Sequence, residues 1–145
     1  MPIEQIHARI GNAALLFMVI AGVWGLLRWR QKKSVDSNYF GILVVGELLL
    51  IAQAAIGIYM WLALGRASEL ERSGMHFLYG FLTVLTLPAA YSFSQGKMEG
   101  VREQALYALV CLFLAALVFR ASMTSTPALS TLSPPPALIG WLNLL

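Results

Sequence analysis

Residues 39–64 read YFGILVVGELLLIAQAAIGIYMWLAL, and only Glu47 among them carries a charge. A helix that crosses a bilayer needs roughly 17–25 mostly apolar residues. This stretch satisfies that and fixes the class: a transmembrane helix. Three further apolar stretches surround it. The first covers about 10–27 and stops at Arg28-Trp-Arg-Gln-Lys-Lys33. The third covers about 77–93. The fourth covers about 105–119, is short by apolar count, and needs its flanking turns to span. The predicted fold is all-α: an integral membrane four-helix up-down bundle with short loops. Its helices are placed at about 3–30, 39–64, 75–94 and 101–121 within a 1–121 bundle, followed by an irregular Pro-rich tail at 122–145.

Composition agrees with this reading. The chain is 59 % hydrophobic and 12 % charged, whereas soluble domains carry about 25 % charged residues. It lacks the polar side chains to cover a soluble core, so the lipid bilayer is its expected surroundings. The net charge of +3 is small, and the basic residues gather near the segment ends. That is a topology signal and no nucleic-acid patch. With both termini outside, Arg28, Arg30, Lys32, Lys33, Lys97 and Arg102 lie inside, against Arg9, Arg66, Arg72 and Arg120 outside. The expected location is a bacterial inner membrane with both termini periplasmic. Trp24, Trp29, Tyr39, Phe40, Tyr59 and Trp61 fall at segment ends, as interfacial aromatics do. The first segment does not read as a cleavable signal peptide, because Glu4 precedes it and the basic cluster follows it. Cys111 is the single cysteine, so it forms no internal disulfide and reveals nothing of the redox compartment.

Two histidines occupy matching places. His7 opens the first segment with Gly11 four residues on, and His76 opens the third with Gly80 four residues on. In an up-down bundle these segments run the same way, so both imidazoles reach the same face of the membrane. Such a pair can hold a haem between two axial ligands in a four-helix bundle. From His7, steps of three and four give Gly11, Ala14, Met18, Ala21, Gly22 and Gly25, a face of mostly small residues that lets a backbone or a flat macrocycle approach. The opposite face, Leu16, Val19, Ile20 and Val23, suits lipid. From His76 the inward face reads Gly80, Thr83, Leu87 and Ala90, with a kink expected at Pro88. Taken singly, a histidine at a membrane interface is usually just a hydrated polar residue. Covalent haem attachment is not expected, since no Cys-x-x-Cys-His occurs. Zinc would need further ligands, for which Glu4, Glu69 and Glu71 are the carboxylates available.

Glu47 lies about 12 Å into its helix at 1.5 Å per residue, on the inner half and away from the histidines. It is a candidate for a proton path, or for a hydrogen-bonded or subunit-facing acid. Gln53, one turn before Gly57, can bond a neighbouring helix, a haem propionate or a quinone, and helix association is the commonest use of such an amide. Residues after Arg120 carry no charge and include Pro134-Pro-Pro136. This tail is expected to be extended, and either to lie on the membrane or to dock on a partner.

Three motifs now stand in order: Ile3-Glu-Gln-Ile-His7-Ala-Arg9, then Ile51-Ala-Gln53-Ala-Ala-Ile-Gly57, then Met75-His76-Phe-Leu78. Over roughly 3–91 the pattern resembles one half of the heme A synthase family. That family has two four-helix halves, each with a histidine pair on its odd-numbered helices near the outer face. The resemblance implies that His7 and His76 are axial ligands of one haem b and that Glu4 matches a family acid linked to catalysis. This chain departs from the pattern at Ala8 and Phe77 and lacks the paired loop cysteines of many members. One half offers one haem site where the synthase needs two, so the synthase activity is not carried over.

The expected function is therefore a small membrane b-type cytochrome-like electron-transfer subunit, not an enzyme on its own. Its cofactor is haem b, with His7, His76, Gly11, Gly80 and Arg9 around it, and Arg66 or Arg72 as further partners for propionates. A quinone is a further candidate. Its partners are lipid and other subunits of a membrane electron-transfer complex, docked partly through the tail. The alternative is a cofactor-free accessory subunit of a respiratory or photosynthetic complex. A third reading is a haem-modifying protein that uses Glu4.

Overall fold

The computed structural model describes residues 1–65, 70, 72–96 and 100–125. Arg66, Glu69, Glu71, Lys97 and the tail from 126 onward lie outside the described residues. Four helices follow one another: α1 (Ile3–Arg30), α2 (Ser37–Leu64), α3 (Ser73–Phe93) and α4 (Val101–Met123). Neighbours in sequence pack side by side, and α1 closes the ring most extensively on α4, whereas the α2–α3 side is the thinnest.

Each boundary has a local cause. Asp36 caps α2, its carboxylate accepting from the Tyr39 N–H at 2.8 Å, so the helix starts two residues before the apolar run. Gly65 ends α2 in the left-handed region at φ 64°, where a side chain is strained. The α4 helix extends two residues past the expected end, and the Ser122 hydroxyl bonds back to Phe119 O at 2.7 Å in its last turn. The α3 helix runs on through Pro88.

Three helices, α1, α2 and α4, are long and apolar enough to cross a membrane. Four spans were expected. The α3 helix is 21 residues long and carries no Asp, Glu, Lys or Arg, but His76, Tyr79, Thr83, Thr86, Pro88, Tyr91 and Ser92 interrupt its apolar run. Outward residues such as Leu16, Val23, Leu48, Leu62 and Phe113 are all about half exposed or more and form the lipid-facing surface.

The core lies mainly in the half of the bundle away from the histidines. On α1 it takes Ala14, Met18, Ala21, Gly22 and Gly25, the small-residue face read from the sequence. Tyr39 and Tyr107 are fully buried beside them. The Tyr39 hydroxyl donates to Ala21 O at 3.1 Å across the space that Gly25 leaves open. Gln104, also fully buried, donates to Gly25 O at 3.3 Å and accepts from Arg28 Nε at 3.4 Å. Arg28 is further held by Asp36 at 2.9 Å and by Ser34 O at 2.9 Å. This cluster ties α1, α2 and α4 at one end and leaves the other end for the histidines.

Candidate functional site

His7, one turn into α1, and His76, one turn into α3, project from diagonal corners of the bundle and meet at the same end. Their ring centres are 6.1 Å apart, with the planes tilted by 57°. Both residues are half-buried. An imidazole nitrogen sits about 2 Å from a first-row metal that it ligates, and about 1 Å from its own ring centre. Two imidazoles that held one metal between them would have ring centres about 6 Å apart.

The second partner of each ring matters as much as the first. His76 Nδ1 lies 2.9 Å from Ala121 O in the last turn of α4. A carbonyl only accepts, so Nδ1 carries the proton and Nε2 keeps its lone pair. His7 Nε2 lies 3.2 Å from Gln53 Nε2. Two buried atoms here have no hydrogen-bond partner among the described residues: His7 Nδ1 and Gln53 Oε1. The orientation of the Gln53 amide decides which tautomer His7 takes. If the Gln53 amide donates to Nε2, the proton on Nδ1 has no acceptor. With the amide turned over, Nε2–H donates to Oε1, and Nδ1 is left with a buried lone pair. A hydrogen-bond donor or a Lewis acid would satisfy such a nitrogen. In that tautomer His7 Nδ1, together with His76 Nε2, would be the ring nitrogens able to hold a metal.

Glycines set the spacing around this pair. A Cβ on Gly57 would stand 3.2 Å from His7 Cε1, and one on Gly11 would stand 3.0 Å from Gln53 Nε2. Gly57 thus makes room for the imidazole. The space over Gly11, read from the sequence as a shelf for a macrocycle, holds the Gln53 amide. Gly80 is different, because a Cβ there would meet nothing within 4 Å. Open room at this site therefore lies on the α3 side, below His76.

The other expected residues divide. Glu4 lies in the first turn of α1, on the face of His7. Arg9, two residues after His7, is exposed and turned away from the pair. Arg120 of α4 stands over α3 at this end, 6.0 Å from the Tyr79 ring, and Arg72 is the residue just before α3. Glu47 sits six residues before Gln53, about 9 Å along α2, and belongs to a separate place in the bundle. Sequence reasoning missed the Ala121 carbonyl, since a backbone acceptor carries no residue-type signal. Among the described residues, no cluster of three or more His, Cys, Asp or Glu side chains is placed to hold a metal.

No protein-family model, curated protein or solved structure matches this chain.

Proposed function

We propose that this chain is a small integral membrane b-type cytochrome-like subunit, with one haem held between His7 and His76. The observation that carries the reading is the approach of two imidazoles from diagonal helices to 6.1 Å, with one ring's tautomer fixed by a backbone carbonyl. The motif resemblance to half of the heme A synthase family points the same way. When bound, the haem supplies one-electron chemistry, and two histidine ligands leave no open position for oxygen. The protein's part is to orient the rings, through Ala121 O and Gln53, and to keep water from them. Arg120 is the cation best placed for a propionate. The α3 helix completes a four-span bundle in a bacterial inner membrane, with both termini on the periplasmic side. Haem extracted from the purified chain and measured as its pyridine complex is expected at about one per chain. A folded, haem-supplied preparation with none would refute the reading.

A second reading has its own observation. Each histidine already makes a local hydrogen bond, and Gln53 fills the space over Gly11. A cofactor-free accessory subunit of a larger electron-transfer complex would use both rings as helix-to-helix ties. Truncation after Ser125 separates the two: it releases an accessory subunit from its complex, but leaves the haem content of a cytochrome unchanged.

A further inference from the structure

A second place in the bundle has the makings of a binding site. An open apolar groove of about 270 Å³ lies where α2 and α3 pack least, with α4 behind it. Its floor is Leu43 and Tyr107, both fully buried. Its rim is Phe40, Leu48 and Tyr91, all between 43 and 60 % exposed on the outer surface of the bundle. The mouth therefore opens sideways toward lipid. Glu47 stands in the wall, and both its carboxylate oxygens are screened from solvent with no hydrogen-bond partner among the described residues. An intramembrane acid without a partner is costly, and leaving a buried polar group unsatisfied costs free energy that a ligand can recover.

The chemistry of the groove narrows the ligand. It must arrive through the bilayer, so it is apolar over most of its surface. The volume lies just under the usual small-molecule range of about 300–1,000 Å³, which suits a single ring. Tyr91, Tyr107 and Phe40 offer aromatic faces for offset stacking. The ring must also bring an oxygen that exchanges a hydrogen bond with a carboxyl group. Depth disfavours a phospholipid head group: Glu47 lies two turns past the interfacial pair Tyr39 and Phe40, about 10–12 Å along α2, inside the hydrocarbon core. We propose that the Glu47 groove binds the head ring of a lipid-soluble quinone or quinol, its oxygen hydrogen-bonded to the Glu47 carboxyl and its tail leaving between α2 and α3. This deepens the electron-transfer reading, though binding itself uses none of the residues of the histidine pair.

The test uses the full chain in detergent micelles, loaded with a prenylated benzoquinone, passed through gel filtration, extracted and assayed by chromatography. Glu47→Leu removes the polar partner, and Val44→Trp, at an exposed rim position, blocks the mouth without touching the core. Wild type is expected to retain about one quinone per chain, Glu47→Gln several-fold less, and both other variants only the micelle background. Equal retention by all four proteins would overturn the proposal. So would background retention by wild type together with a membrane protein that co-purifies with wild type and is lost in Glu47→Leu, because the acid would then serve a partner helix. Haem content of the same samples keeps the two readings apart: the variants are expected to match wild type there, whatever the quinone result.

Discussion

The closest approach in the core is at Gly25. A Cβ at this position would overlap the Tyr39 hydroxyl and stand 2.7 Å from Ala108 Cβ and 2.9 Å from the Tyr39 ring carbon bearing the hydroxyl. In Gly25→Ala the ring of Tyr39 must move, and its hydrogen bond to Ala21 O is lost. Overpacking of a tight core costs about 1–3 kcal/mol, and the lost hydrogen bond about 1 kcal/mol. Alanine returns up to about 1 kcal/mol as the better helix former. The net expectation is a loss of about 1–3 kcal/mol. Tyr39→Phe alone should cost about 1 kcal/mol. In that background the nearest clashing atom is gone and the hydrogen bond is already spent, so Gly25→Ala should cost at least about 1 kcal/mol less than it does in wild type. Reversible unfolding in mixed micelles, followed by far-UV circular dichroism, measures all four corners of the cycle. Additivity within about 0.5 kcal/mol would show that the two side chains do not share this space, and the account of the α1–α2–α4 core would fail.

Other expectations concern the same end of the bundle. The Tyr39 backbone N–H, aided by Arg28, holds the Asp36 carboxyl below its ordinary range near 3.8. A group depressed in this way adds stability that is present above its unfolded value and lost as pH falls through the folded one. Unfolding midpoints should therefore be level near neutrality and decline below about pH 4, while Asp36→Asn, which still caps a helix, should lower the plateau and flatten that decline. Gln104→Leu removes a fully buried amide that serves both Gly25 O and Arg28. It should cost about 1–3 kcal/mol in the same unfolding assay, and leave any haem spectrum unchanged, because the histidines lie at the opposite end.

The helices were legible because periodicity and length record burial directly. Every inward residue read on α1 from Ala14 to Gly25 is buried, and Leu16, Val19, Ile20 and Val23 are exposed. On α3 the same walk finds Thr83 buried and Leu87 and Ala90 packed on the core. The histidine pair was legible for a related reason: parallel helices carry matched positions to one face. Pairings between helices were not. Gln53 reads equally well as helix glue or as a ligand group, and only the register of α1 against α2 brings it to His7, with Gly57 making the room. The Glu47 groove depends on how loosely α2 and α3 meet, which no single residue encodes. The four helices and their order were legible in full, although α3, without a single charged side chain, is the one that falls short of the length and apolarity of a membrane span.

The claim that His7 and His76 share one haem meets its most direct test in a reduced-minus-oxidised optical spectrum of the purified chain, taken beside His7→Ala and His76→Ala. This account requires a sharp low-spin b-type α-band in wild type that is lost in each variant and restored in part by added imidazole. A wild-type band that survives either substitution, or a flat spectrum from folded wild type supplied with haem, would contradict it.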